Sequence, residues 1–203
     1  DLSTWKALRP VLFWRGKTGV QTGIDRNAMV RYSQQLCRTT CWLDARVVVN
    51  SQRRGFAAAD LRRDSHAGLD DWLRHRYMID ADGFGYSTGL VWKLWAQRPV
   101  VRLKSSRNLT VWYDLFLDAG THYLEVQPGD WTALRATFDT LEAHPERALA
   151  TAALARDVAR AIDLRFAARL VVAAIETRFS LVKTPRRHDK GALVPLTMIS
   201  FLS

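Results

Sequence analysis

The sequence predicts an α/β fold, a parallel sheet with helices on its faces. Two observations carry that expectation. Short apolar runs, several rich in β-branched residues, recur along the chain and stop at loops bearing glycine or charge. Between them lie longer stretches whose apolar residues return at helical spacing. Strands alternating with helices need crossover connections, and crossovers build parallel sheets. At 203 residues, 48% hydrophobic and 25% charged, the chain can bury a real core, which excludes disorder as its main state.

The elements follow in order. Pro10-Val-Leu-Phe-Trp14 reads as a buried strand that stops at the loop Arg15-Gly16-Lys17-Thr18-Gly19. Residues 26–41 read as a helix, with Met29, Tyr32, Leu36 and Cys37 on one face. A β-branched strand is expected over 45–50, then a charged, partly helical stretch over 52–74. Next come a strand over 76–80, an acidic turn over 82–85, and a helix from Thr88 through Trp95 with Ser87 as its cap. A strand over 99–103, a short helix over 112–117 and a short strand over 123–126 complete the sheet. From Trp131 to about Val182 the pattern is helical, with Pro145 restarting the helix as an N1 residue. We therefore expect one domain over 1–182 and an irregular, basic and then apolar tail over 183–203.

Charge narrows the partners. Thirty Lys and Arg against 20 Asp and Glu give a net charge of +10, and there are eight Trp. This fits a partner that is anionic and flat: a nucleotide, a nucleic acid or an anionic membrane surface. Only two cysteines occur, Cys37 and Cys41. At i,i+4 on one helix their backbone separation suits a disulfide poorly, so a reducing compartment is expected. No apolar run is long enough for a membrane span, and the first ten residues lack the pattern of a signal peptide. The chain opens on Asp rather than Met and reads as a piece of something longer.

Each candidate motif has an ordinary counterpart. Arg15, Lys17 and two glycines at a strand's carboxyl end suit a phosphate, because glycine lets backbone N–H groups approach it. The ordinary reading is a solvated basic turn, and the P-loop spacing is absent. Asp80 and Asp82 form an Asp-x-Asp pair of the kind that in some sugar-transferring enzymes holds a metal on a diphosphate. Here the favoured reading is an acidic strand-end turn whose carboxylates accept backbone N–H bonds, and no metal ligand is assigned. Gly83, Gly85 and Ser87 at the mouth of a helix suit close approach by a ligand. The five histidines share no zinc spacing, and no GxSxG elbow occurs. The pairs Arg53-Arg54, Arg62-Arg63 and Arg186-Arg187 read as solvated faces rather than a specific nucleic-acid surface. Trp92 and Trp95 are expected in the core.

Taken together, these segments resemble glycosyltransferase family 90. Arg76-Tyr-Met-Ile-Asp-Ala-Asp-Gly-Phe-Gly-Tyr-Ser87 is similar to that family's K-Y-x-I-D-x-D-G-x-G-x-S segment. Phe13-Trp14-Arg15-Gly16 resembles its F-[WF]-R-G strand and loop. Trp112-Tyr113 with Thr121-His-Tyr-Leu-Glu-Val126 resembles its W-[FY]-Y…H-[YF]-V-P-V stretch. Asp130-Trp-Thr-Ala-Leu134, His144 and residues 148–161 resemble its closing D-L-S-D-L and helix. The four pieces stand in the family's order and span roughly residues 11–170.

The resemblance implies a two-domain GT-B architecture, of which this chain is mainly the Rossmann-like, C-terminal donor-binding domain. It implies a glycosyltransferase, inverting and independent of metal or other cofactor. The donor is a UDP-sugar and the acceptor a hydroxyl on a lipopolysaccharide or another surface glycan or glycolipid. Arg15, Lys17 and Arg26 are then expected at the diphosphate, and Phe84, Gly85, Tyr86, Ser87, Thr88 and Gly89 around the nucleotide. Many members carry arginine where this chain has Gly89, a cation that Arg15 or Lys17 would have to replace. The family's catalytic aspartate lies upstream of the first strand, so the general base is expected outside this sequence. Cytoplasmic placement, with a peripheral contact at the inner membrane face, completes this expectation. The alternative is a non-catalytic basic module for nucleotide or nucleic acid.

Overall fold

A computed structural model of the chain describes residues 2–17, 25–48, 61, 63–64, 67–82, 87, 89–103, 112–162, 168–169 and 172–177. The chain divides into two units, 1–163 and 164–203. The sheet lies entirely within the first. The division thus falls before the expected boundary at residue 182, just after the last core helix ends. In the second unit residues 172–177 are helical, with Val172 and Ile175 about half exposed. The expected tail over 183–203 lies outside the described residues.

The first unit opens with α1 (Leu2–Ala7) and β1 (Arg9–Gly16), followed by α2 (Arg26–Leu36) and β2 (Leu43–Val48). Then come β3 (Arg63–Asp64), α3 (Leu69–Leu73), β4 (His75–Ala81), α4 (Leu90–Trp95) and β5 (Val100–Leu103). A 3₁₀ turn (Trp112–Phe116) leads to β6 (Leu124–Val126), α5 (Trp131–Ala143) and α6 (Pro145–Ala161). All six strands are parallel, in the order β3-β2-β1-β4-β5-β6. This is a Rossmann-like α/β fold, as the alternation of strands and helices required. The order reverses where β4 pairs with β1, and at such a switch point the following loops part and leave a crevice at the carboxyl ends of the strands.

Both sheet faces are buried, which is why the strands read as continuous apolar runs rather than alternating ones. Leu12 and Trp14 of β1, with Tyr77 and Ile79 of β4, join α2 (Met29, Val30) and α5 (Leu134, Phe138, Leu141) on one face. Phe13 and Met78 point the other way, to Trp72 of α3, Leu90 and Leu94 of α4, and Ala155 and Ala159 of α6. The helix expected from Thr88 with Ser87 as its cap begins instead at Leu90, with Gly89 at its N-cap position and no side-chain cap bond, while other helix starts are set by caps or proline. Asp25 accepts from Ala28 N at 2.9 Å, Asp130 from Ala133 N at 2.8 Å, and Pro145 opens α6. Buried Ser33 joins α2 to β2, donating to the Leu43 carbonyl and accepting from Ala45 N, both at 2.9 Å.

Two further expectations are corrected here. Arg15 and Gly16 end β1 rather than begin the loop, because their register with Arg46 and Val47 continues the ladder. More consequentially, Cys37 and Cys41 form a disulfide. The premise that both cysteines lie on one helix fails: α2 stops at Leu36, and the turn that follows brings the two Cα atoms to 4.1 Å. With that bond the argument for a reducing compartment loses its support. Among the described residues, no helix is long and apolar enough to cross a membrane.

Candidate functional site

The switch point between β1 and β4 gathers polar groups from four elements. Arg26, the first residue of α2, reaches across it. Its Nη1 donates to the Lys17 carbonyl just after β1, at 3.2 Å, and its Nη2 to the Ala81 carbonyl at the end of β4, at 2.6 Å. The guanidinium lies over the buried Trp14 ring, 5.5 Å from its centroid. Trp14 also dictates Gly16: a Cβ there would come within 2.4 Å of the indole ring. Burial lowers the Arg26 pKa, against the opposing pull of the Asp80 and Asp82 carboxylates. Its Nε has no partner among the described residues. Arg26 therefore straps both strand ends together and places a buried cation at the switch point.

The carboxyl end of β4 carries a second polar cluster. Asp80, fully buried, accepts at Oδ1 from Lys93 Nζ of α4 at 2.6 Å and from Ser87 Oγ at 2.7 Å. Asp82 Oδ1 accepts from Ser87 N at 3.1 Å, and Ser87 Oγ accepts in turn from Gly89 N at 3.3 Å. Tyr113 donates to the Ser87 carbonyl at 2.8 Å. Burial, with the Asp80 and Asp114 carboxylates, pushes the Tyr113 phenol up to about 12, so it stays a donor. Beside it Arg102 of β5 pairs with Asp114 at 2.6 Å and lies over the Tyr123 ring. Burial opposes the Arg102 charge, but Asp114 outweighs it and raises the pKa. Ser87 is thus held through its backbone N–H, its hydroxyl and its carbonyl, just ahead of α4.

The structure separates the expected site residues. Arg26 and Ser87 come together at the switch point. Lys17 follows β1 with its side chain exposed, and Gly89 stands immediately before α4. Phe84, Gly85, Tyr86 and Thr88 lie outside the described residues. Arg15 does not belong with them. Its guanidinium donates to Asp44 Oδ2 and Asp64 Oδ2, each at 2.9 Å, and to the Trp14 and Asp44 carbonyls, each at 2.8 Å. It also lies 4.1 Å over the Phe13 ring, and its side chain is 5% exposed. Four of a guanidinium's five N–H groups are committed to protein acceptors. Burial works to raise the Asp44 pKa, but Arg15 and Arg46 together outweigh it and hold the carboxyl below its ordinary range. Arg15 is a structural cation tying β1, β2 and β3 together.

Asp82, accepting from Ser87 N, takes the acidic-turn role favoured from sequence, whereas Asp80 lies within β4 and accepts from the Lys93 and Ser87 side chains instead. Among the described residues no group of three or more His, Cys, Asp or Glu side chains is placed to hold a metal ion. Sequence reasoning missed Lys93 and Arg102. The signal available was charge inside apolar runs, at Leu-Val-Trp-Lys-Leu-Trp and Val-Val-Arg-Leu. A cation there is retained only with a partner or a task. No family model matches the chain, and no curated protein matches it.

Proposed function

We propose that this chain is the donor-binding part of a glycosyltransferase that moves a sugar from a UDP-sugar to a hydroxyl acceptor. The acceptor class is a lipopolysaccharide or another surface glycan. One observation carries the reading. Arg26 spans the β1/β4 switch point, the place where parallel α/β sheets bind ligands, and holds its guanidinium there between the two strand ends. The ordered resemblance of four sequence segments to glycosyltransferase family 90 supplies the substrate class, and GT-B architecture belongs to the same proposal.

The chemistry assigned is an inverting displacement. The acceptor oxygen forms a bond to the anomeric carbon as the bond to the distal phosphate oxygen breaks. The electron pair leaves on UDP, and the acceptor proton goes to a general base supplied from outside this sequence. Arg26 and Lys17 bind the diphosphate and stabilise the charge growing on it as the bond breaks. Ser87 and Gly89, held by Asp80 and Asp82, shape the segment that takes the nucleotide. Arg15 acts only through the sheet.

Calorimetric titration of the chain with UDP, ADP and GDP, with and without Mg²⁺, tests this. The expected result is selective UDP binding that Mg²⁺ does not change. A folded sample that binds no nucleotide overturns the proposal. So does salt-dependent binding to duplex nucleic acid that UDP does not compete away, which instead identifies a basic binding module.

A further inference from the structure

Position 89 leaves little room for a side chain. Its φ of −85° suits any residue, so backbone strain does not demand glycine. A Cβ at this position would lie 3.2 Å from Trp92 Nε1, 3.3 Å from Lys93 Nζ and 3.5 Å from Ser87 Oγ. The lysine ammonium therefore sits directly beneath a backbone segment without a side chain, and that segment belongs to the candidate site.

Lys93 is otherwise an unusual residue. It is 5% exposed, in a helix whose neighbours Leu90 and Leu94 are wholly buried. Burying an ammonium is costly, and an apolar side chain of similar length would pack in this place without that cost. Its Nζ lies over the Trp72 and Trp92 rings, 5.2 and 5.7 Å from their centroids, and the two rings meet edge to face. Of its three N–H donors, one is accounted for by Asp80 Oδ1, an oxygen that it shares with Ser87. Asp80 itself keeps Oδ2 buried without a hydrogen-bond partner among the described residues. The pair is held by two indole rings and one oxygen, and among the described residues the ammonium donates only to Asp80 Oδ1.

We infer that Lys93 is a third diphosphate-binding cation of the site, beside Arg26 and Lys17, reached over the bare backbone of Gly89 and positioned by Asp80. A compact ammonium suits this use, since it meets phosphate as a point charge and needs no planar fork geometry. Gly89 and Lys93 then form one device: the first keeps the approach open, the second supplies the charge. The inference rests on the UDP-sugar reading and adds a residue to it.

The test compares Lys93→Met, Asp80→Asn and the double variant with wild type, using UDP and inorganic pyrophosphate as probes over a range of salt concentrations. Lys93→Met is expected to lose at least tenfold in affinity for both probes, and its affinity should depend less on salt. Asp80→Asn, which frees the ammonium from its carboxylate, is expected to bind both probes at least as tightly as wild type. Equal losses in the two single variants would identify a purely structural pair and overturn the inference. Should Lys93→Met fold poorly because Asp80 is left unpaired, the double variant measured against Asp80→Asn isolates the lysine, and equal affinities there overturn the inference too. The outcomes separate the two claims. Wild type that binds neither probe removes the donor-domain reading and this inference together. Wild type that binds UDP, with Lys93→Met binding as well, removes only the role of Lys93.

Discussion

Arg26 Nη2 donates to the Ala81 carbonyl at 2.6 Å, joining the start of α2 to the end of β4 across the switch point of the sheet. The same side chain holds the Lys17 carbonyl after β1, so one guanidinium fixes both strand ends that frame the crevice. Replacing it with alanine removes both carbonyl bonds and, on the proposed donor-binding role, a charge-assisted bond to phosphate. A bond of that kind contributes about 1.5–3 kcal/mol, so Arg26→Ala is expected to weaken UDP binding by roughly 10- to 150-fold. Arg26→Lys keeps the charge without the double carbonyl contact and should fall between the two. Calorimetry on both variants checks the order, and an unchanged Kd in Arg26→Ala removes this residue from the site.

Arg15 gives the opposite prediction. Among the described residues, its removal leaves Asp44 buried beside the partly exposed Arg46 as its one cationic partner. Breaking a buried pair from one side costs on the order of 3–5 kcal/mol. Arg15→Ala should therefore lower the midpoint of denaturant unfolding sharply. In whatever fraction stays folded, UDP affinity should be near that of wild type. A stable Arg15→Ala variant with weakened UDP binding would return Arg15 to the ligand.

The Cys37–Cys41 bond is directly testable. Thiol titration of the denatured chain should find no free thiol before reduction and two after it, since these are the only cysteines. The bond closes a very short loop, with a sequence separation of four. Loop-closure entropy for so small a ring predicts a stabilisation of about 2 kcal/mol, lost on reduction. Two titratable thiols in protein purified without reductant would show that the pair is not oxidised.

What the sequence made legible was local. Periodicity and β-branched runs located the strands, and Pro145 marked the start of α6, because those signals act within a few residues. What it hid was mostly non-local. Arg15 stands before a glycine after an apolar run, as a phosphate-binding arginine would, but its carboxylate partners lie 29 and 49 residues away. The cysteine pair failed for a different reason: one misplaced helix end, at Leu36 rather than at Cys41, reversed the geometric argument. Arg26 was named from a resemblance and not from any local pattern. Only the sheet order shows why it faces the crevice.

His75 provides a pH test independent of any ligand. The ring is buried at the start of β4, stacked on Phe13 with centroids 4.1 Å apart, and its Nδ1 lies 2.7 Å from the Asp71 carbonyl. A carbonyl only accepts, so the proton is on Nδ1, and the buried Nε2 has no partner among the described residues. Burial lowers the His75 pKa, against the raising effect of that carbonyl, with Arg9 and Arg15 lowering it and Asp44 raising it. The folded protein consequently binds the proton less readily than the unfolded chain, whose histidine titrates near 6.5. Between the folded and unfolded values the unfolded state carries more protons, so stability rises with pH there and falls as the solution is acidified. Above about pH 6.5 this contribution is fully present. Chemical denaturation of wild type at a series of pH values below neutrality should show the decline. His75→Phe, which keeps the stack on Phe13 and cannot titrate, should show a shallower one. Equal slopes in the two proteins would mean that His75 takes up its proton as easily folded as unfolded.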